Sequence, residues 1–228
     1  MFISRGLGLT TTRYNAMRKF ALMFVLLAVL LPVDLFGQNH ITSVSVGSGQ
    51  DPISSGMSMA LRFENLNGKL FGEFAAQHEQ AWLAVGRQVH GRISGFVAVD
   101  VGHFQGAAWG GPYISLATPI MKVGGKELTL STLQWPGVYF SKPSSKSEAN
   151  LQGLDWVAYL SSFSVSWGPV SLNHAMLHFM DDPWNALPGV SVSLPLTKDV
   201  VSTSTYTRNT NAKSAMYFMG VSWTPSNK

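Results

Sequence analysis

From Ile41 almost to its last residue the chain repeats one pattern: stretches of about ten residues alternating apolar with small polar side chains, nearly free of charge and separated by turns. A period of two is the signature of strands whose two faces meet different surroundings. Twelve candidate strands follow, at 41–47, 56–64, 69–77, 81–90, 93–104, 112–122, 126–135, 154–167, 170–180, 189–197, 200–208 and 214–224. The connections between them hold 8, 4, 3, 2, 7, 3, 18, 2, 8, 2 and 5 residues. Beginning with the second, every other connection is tight, and all but one of the rest are longer. The reading is all-β, a meander of hairpins.

Charge placement decides which kind of all-β protein this is. Segments 128–141, 156–180, 183–197 and 214–227 contain no Asp, Glu, Lys or Arg, and 93–121 contains only Asp100. A soluble sheet usually sets charge on its solvent face. Here the faces opposite the apolar ones carry Ser, Thr, Gly, Ala and Asn, as with Ser191 and Ser193 beside Val190, Val192 and Leu194. Most charge is confined to loops and strand ends, among them Lys69, Arg92, Lys122, Lys126, Asp182, Lys198 and Lys213. A lipid-facing charge at mid-bilayer costs about 2–4 kcal/mol, which accounts for its absence there. Short turns at one end and longer loops at the other complete the pattern of a bacterial outer-membrane barrel. The expected fold is a closed, antiparallel, up-and-down transmembrane β-barrel of about twelve strands, within a range of 8–12.

The amino terminus points to export. Met17-Arg18-Lys19 precedes the apolar run Phe20–Leu31, which ends at Pro32 and Asp34, far short of the roughly 20 residues a spanning helix needs. A basic region followed by such a run reads as a secretory signal peptide, here residues 1–37, with Met17 the expected working start and 38–228 the barrel. This segment holds Arg5, Arg13, Arg18 and Lys19 of the 16 basic residues and Asp34 of the 12 acidic ones, so the rest of the chain is close to neutral. Charge therefore gives no case for nucleic-acid binding. The absence of cysteine excludes a disulfide framework and a lipid-anchoring cysteine.

Local signals agree with a closed meander. Asn67-Gly68, Gly124-Gly125 and Gly168-Pro169 have the turn chemistry of tight hairpins. Pro119 and Pro195 interrupt their candidate strands, since proline removes a ladder donor and belongs at edges, bulges or strand ends. The last strand, with Tyr217, Met219, Val221 and Trp223 on one face, is expected to close against the first. Its apolar residues spaced by twos resemble the terminal strand that outer-membrane insertion machinery reads, with Thr224–Lys228 added beyond it. Trp82, Trp109, Trp135, Trp156, Trp167, Trp184 and Trp223 fall near strand ends, where aromatic girdles at the two membrane interfaces would place them.

Functional chemistry is sparse. Parity turns Arg62, Glu73 and Asp100 inward if the apolar faces meet lipid, either as a constriction of mixed charge or as an ion-pair network filling a narrow interior. His174 and His178 have a helical metal spacing, but in a strand four residues separate them by about 13 Å. Ser171 and His174, three apart in a strand, face opposite sides, and no nucleophile elbow or phosphate-binding loop is present. The polar stretch Lys142–Asn150 reads either as an extracellular contact surface or as a mobile solubilising loop only. The expectation is a porin-like channel for small solutes or a structural membrane protein in the bacterial outer membrane. It would have no catalysis, cofactor or metal, and its partners would be outer-membrane lipids, the insertion machinery and small polar solutes. The alternatives are an exported soluble ligand-binding barrel or sandwich, and an outer-membrane hydrolase using one of the two histidines.

Overall fold

The computed structural model describes residues 39–50, 55–65, 69–77, 80–104, 106–141, 157–179 and 182–224. Signal segment 1–37, the Asn67-Gly68 turn, Trp156 and the 142–150 loop lie outside them. The chain forms β1 (Asn39–Gln50), β2 (Ser55–Asn65), β3 (Leu70–Gln77), β4 (Gln80–Val89), β5 (Ser94–Phe104) and β6 (Ala107–Val123). There follow β7 (Lys126–Tyr139), β8 (Val157–Trp167), β9 (Val170–Phe179), β10 (Asn185–Pro195), β11 (Val200–Asn209) and β12 (Ser214–Trp223). The strands run in sequence order around a closed barrel, and β12 seals it against β1 in the register Val44↔Trp223 to Gly49↔Phe218. Closure leaves no unpaired edge. All twelve expected strands are present.

Their lengths differ from the sequence expectation at one informative place. The pattern in the sequence begins one strand at Pro112 and ends the next at Trp135. Instead β6 begins at Ala107 and β7 continues to Tyr139. Closed-barrel continuity carries both strands through their prolines. Pro119 and Pro195 behave as expected of proline in a sheet: β6 shifts register between Pro119 and Met121, and Pro195 is the last residue of β10. With β5 and β6 thus lengthened or closed up, only residues 105–106 separate them, and 78–79 separate β3 from β4. The alternation of short and long connections therefore rests chiefly on the one long segment between β7 and β8.

The tight turn at Gly124-Gly125 works because both residues take positive φ, +58° and +79°, which matches the twist of the flanking strands. It and the 168–169 turn lie at one end of the barrel, and the β7–β8 connection lies at the other.

The wall sorts side chains by parity. Val97, Val99 and Val101 on β5, Phe163 and Val165 on β8, Leu172 on β9, Val192 and Leu194 on β10, and Tyr217, Met219 and Val221 on β12 are all exposed on the outside. An apolar surface of this extent is not tolerated against water but suits hydrocarbon. Outward charges lie close to strand ends, as with Arg87, opposite Val97, and Arg208, opposite Ala215. On the outside near the 168–169 turn, the Lys126 ammonium sits 5.4 Å from the Trp167 ring, and that indole donates to the Val123 carbonyl at 2.9 Å. A lysine and a tryptophan at this height form the kind of pair that anchors at a membrane interface.

Candidate functional site

The interior has two unlike walls. On one, β2 and β3 place Arg62 directly opposite Glu73, and their side chains form an ion pair. Glu73 is 1% exposed, and its other oxygen accepts a bond from the Trp82 indole at 3.2 Å. The Arg62 side chain keeps 44% exposure toward the lumen and rides 5.6 Å above the Phe96 ring, which is itself stacked 3.8 Å from Phe71. Two strands further on, Asp100 is 0% exposed and holds two indoles with one oxygen: Trp109 donates to its Oδ2 at 3.0 Å and Trp135 at 2.9 Å. Oδ1 has no partner among the described residues. Around these acids Phe71, Trp82, Phe96, Phe104, Trp109, Tyr113, Trp135 and Tyr139 form one buried cluster. Indole is a donor only, so burying three of them inside a barrel requires acceptors, and Glu73 and Asp100 supply these.

The facing wall, from β7 to β11, is lined with hydroxyls. Ser131 meets Ser164 at 2.6 Å, Ser166 meets Ser171 at 2.6 Å, Ser191 meets Thr205 at 2.9 Å and Ser193 meets Thr203 at 3.1 Å. Each of these is a directly opposed cross-strand pair. The Asn173 amide joins the series by donating to Ser191 at 2.6 Å. These side chains alternate with the outward apolar ones and are only half buried, so the wall offers polar groups without formal charge. At the end where β10 begins, Leu187, Thr207 and Met216 are buried as well.

Arg62, Glu73 and Asp100 are thus brought to one wall, with Glu73 bonded to Arg62 and Asp100 bonded to its own two indoles. The tryptophans divide. Trp167, Trp184 and Trp223 are exposed outside, whereas Trp82, Trp109 and Trp135 are buried inside, contrary to the expectation that all seven belong to interface girdles. Nearness to a strand end does not fix the face. Parity does: Trp109 and Trp135 both donate to the inward Asp100, and Trp82 donates to Glu73, the inward partner of Arg62. The hydroxyl wall is the Ser- and Thr-bearing face expected opposite the apolar one, as at Ser191 and Ser193; the sequence alone does not show that these hydroxyls meet in pairs across neighbouring strands. His174 lies opposite Phe163 and Pro188 on the outward face, and His178 stacks on Trp184 with ring centroids 5.0 Å apart. Ser171 bonds inward to Ser166, on the other side of the wall from His174.

No family model and no curated protein matches the chain. Among solved structures it is similar to the KdgM porin, with a TM-score of 0.50 and 11% identity over 80% of this chain and 99% of that one. The same porin in complex with disordered oligogalacturonate gives a TM-score of 0.50 at 12% identity, over 80% of this chain and 99% of that one. The NanC porin gives 0.49 at 10% identity, over 82% of this chain and all of the other. At such identity the likeness is one of fold: a closed antiparallel barrel of the porin kind.

Proposed function

We propose that this chain is an outer-membrane channel of porin type, passing small polar solutes along the axis between the aromatic and the hydroxyl wall. The observation that carries the reading is the inversion of an ordinary fold: apolar side chains cover the outside, while Arg62, Glu73 and Asp100 are turned within. The structural neighbour KdgM has been solved with an oligogalacturonate. In this chain the lumen-exposed Arg62 is neutralised by Glu73 and the facing wall is uncharged, which favours small neutral solutes over a polyanion.

The test is fractionation followed by conductance. The protein is expected in the outer-membrane pellet, with a mobility on denaturing gels that shifts on boiling, and in planar bilayers it should give discrete current steps with weak ion selectivity. Glu73→Gln removes the partner of a guanidinium that reaches the lumen, so its reversal potential in a salt gradient should move toward anion preference, and Arg62→Gln should move it the other way. A heat-shifting barrel that carries no current would reject the channel and leave a structural membrane protein. A soluble periplasmic product would reject the membrane reading.

A further inference from the structure

The ladder between β6 and β7 has one interruption near the end of the barrel that carries the β7–β8 connection. Gly110 pairs with Val138 and Ile114 with Gln134, and no bonded pair is found between these two steps. Continuing the register from either side sets Gly111 against Gly137, Pro112 against Pro136 and Tyr113 against Trp135. In an antiparallel pair, residues facing each other at a bonded step exchange both N–H···O bonds, and proline has no N–H to give. Two prolines face to face therefore remove both bonds of a single step. The wall is held there by packing alone over about four residues, or about 13 Å of strand.

What lies on each side gives the gap its meaning. Outside, Val99 and Val138 flank it on the exposed apolar face. Inside, the Trp109 ring lies directly against Gly137, where a β-carbon would overlap it. Against that ring lies a partly open pocket of about 90 Å³, lined mainly by Phe104, Trp109, Trp135, Tyr139 and Phe179, with Gln80 at its wall. One unbonded step of backbone and one indole separate hydrocarbon from an apolar hollow. A cavity of about 150 Å³ accepts benzene. The present one suits the narrower end of an alkyl chain, and alkyl chains are what the outer surface of a membrane barrel touches.

We infer that the seam at Pro112 and Pro136 is a lateral door through which the tail of a bilayer lipid enters the aromatic cavity, with Trp109 as its inner leaf. The inference rests on the membrane reading above, and the experiment separates the two. Trp156, Trp167, Trp184 and Trp223 are replaced by Phe so that Trp82, Trp109 and Trp135 report alone, and the full barrel is reconstituted in phosphatidylcholine vesicles with brominated or ordinary acyl chains. Bromine quenches indole on contact, so the interior tryptophans should be dimmer in the brominated vesicles. Pro112→Cys with Pro136→Cys, in a chain that has no other cysteine, allows the seam to be locked by oxidation. Oxidation should abolish the quenching and a reductant restore it. Pro112→Val with Pro136→Val, which restores both donors, should abolish it without a crosslink. Equal emission in the two kinds of vesicle, or quenching that neither locking nor restored donors diminishes, overturns the door. A companion protein retaining only the outward Trp223 checks the premise: its quenching and a heat-dependent mobility shift show insertion, and their absence would remove the membrane reading and the door with it.

Discussion

Replacing Asp100 with alanine is expected to be the most damaging single change in the barrel. Its carboxylate is wholly buried and one oxygen receives both the Trp109 and the Trp135 indole, so truncation leaves two buried donors with no acceptor. Each orphaned donor costs about 1–3 kcal/mol, which places the whole loss at about 2–6 kcal/mol before any rearrangement of the rings. Asp100→Asn keeps an acceptor oxygen of nearly the same shape and should recover most of this. Urea unfolding of the reconstituted protein, followed by tryptophan emission, measures both variants. If Asn proves as costly as Ala, charge rather than hydrogen-bond acceptance is what Asp100 contributes.

The second large effect is expected at Gly111, where the contrast with Gly72 isolates its cause. A methyl group at Gly111 would overlap the Pro136 carbonyl and the Gly137 Cα, both backbone, on the facing strand. Only parting β6 from β7 could relieve that, at a step with no ladder bonds to pull them together again. Gly111→Ala should therefore cost at least the roughly 1–3 kcal/mol typical of overpacking and lower the temperature at which the folded band is lost. At Gly72 a methyl would meet only the tip of the outward Phe63 ring, which can swing into lipid. Gly72→Ala should be close to neutral by the same measurement. Equal losses at the two sites would mean that strand separation is not the limiting strain.

How much of this could be read from the sequence depends on the kind of signal. Alternation gave the number of strands, and absence of charge gave the character of the outer face, because both are properties that every strand repeats. Parity also placed Arg62, Glu73 and Asp100 within. The same parity, followed along β5, would have placed Phe96 and Phe104 beside Asp100, but Phe96-Val97-Ala98-Val99 is apolar on both faces and so has no visible inside. An interior filled with aromatics erases the contrast on which the reading relies. The three inward tryptophans were misplaced for this reason, since proximity to a strand end stood in for orientation. Pro112 opens its expected strand and Pro136 lies just past the end of the next, two prolines that nothing in the sequence connects. That two of them could stand opposite each other and share one step is a fact about pairing, which a single strand does not display.

The hydroxyl wall has a consequence of a different kind. In four of its contacts, Ser131 with Ser164, Ser166 with Ser171, Ser191 with Thr205 and Ser193 with Thr203, either partner can be the donor. Turning a hydroxyl about its C–O bond moves one proton and no heavy atom, so each of these bonds can reverse its sense in place. Such a surface has no built-in polarity. A dipolar molecule sliding past can be met by a donor or by an acceptor at every station, whichever end leads, and so has no preferred heading against which it would have to turn.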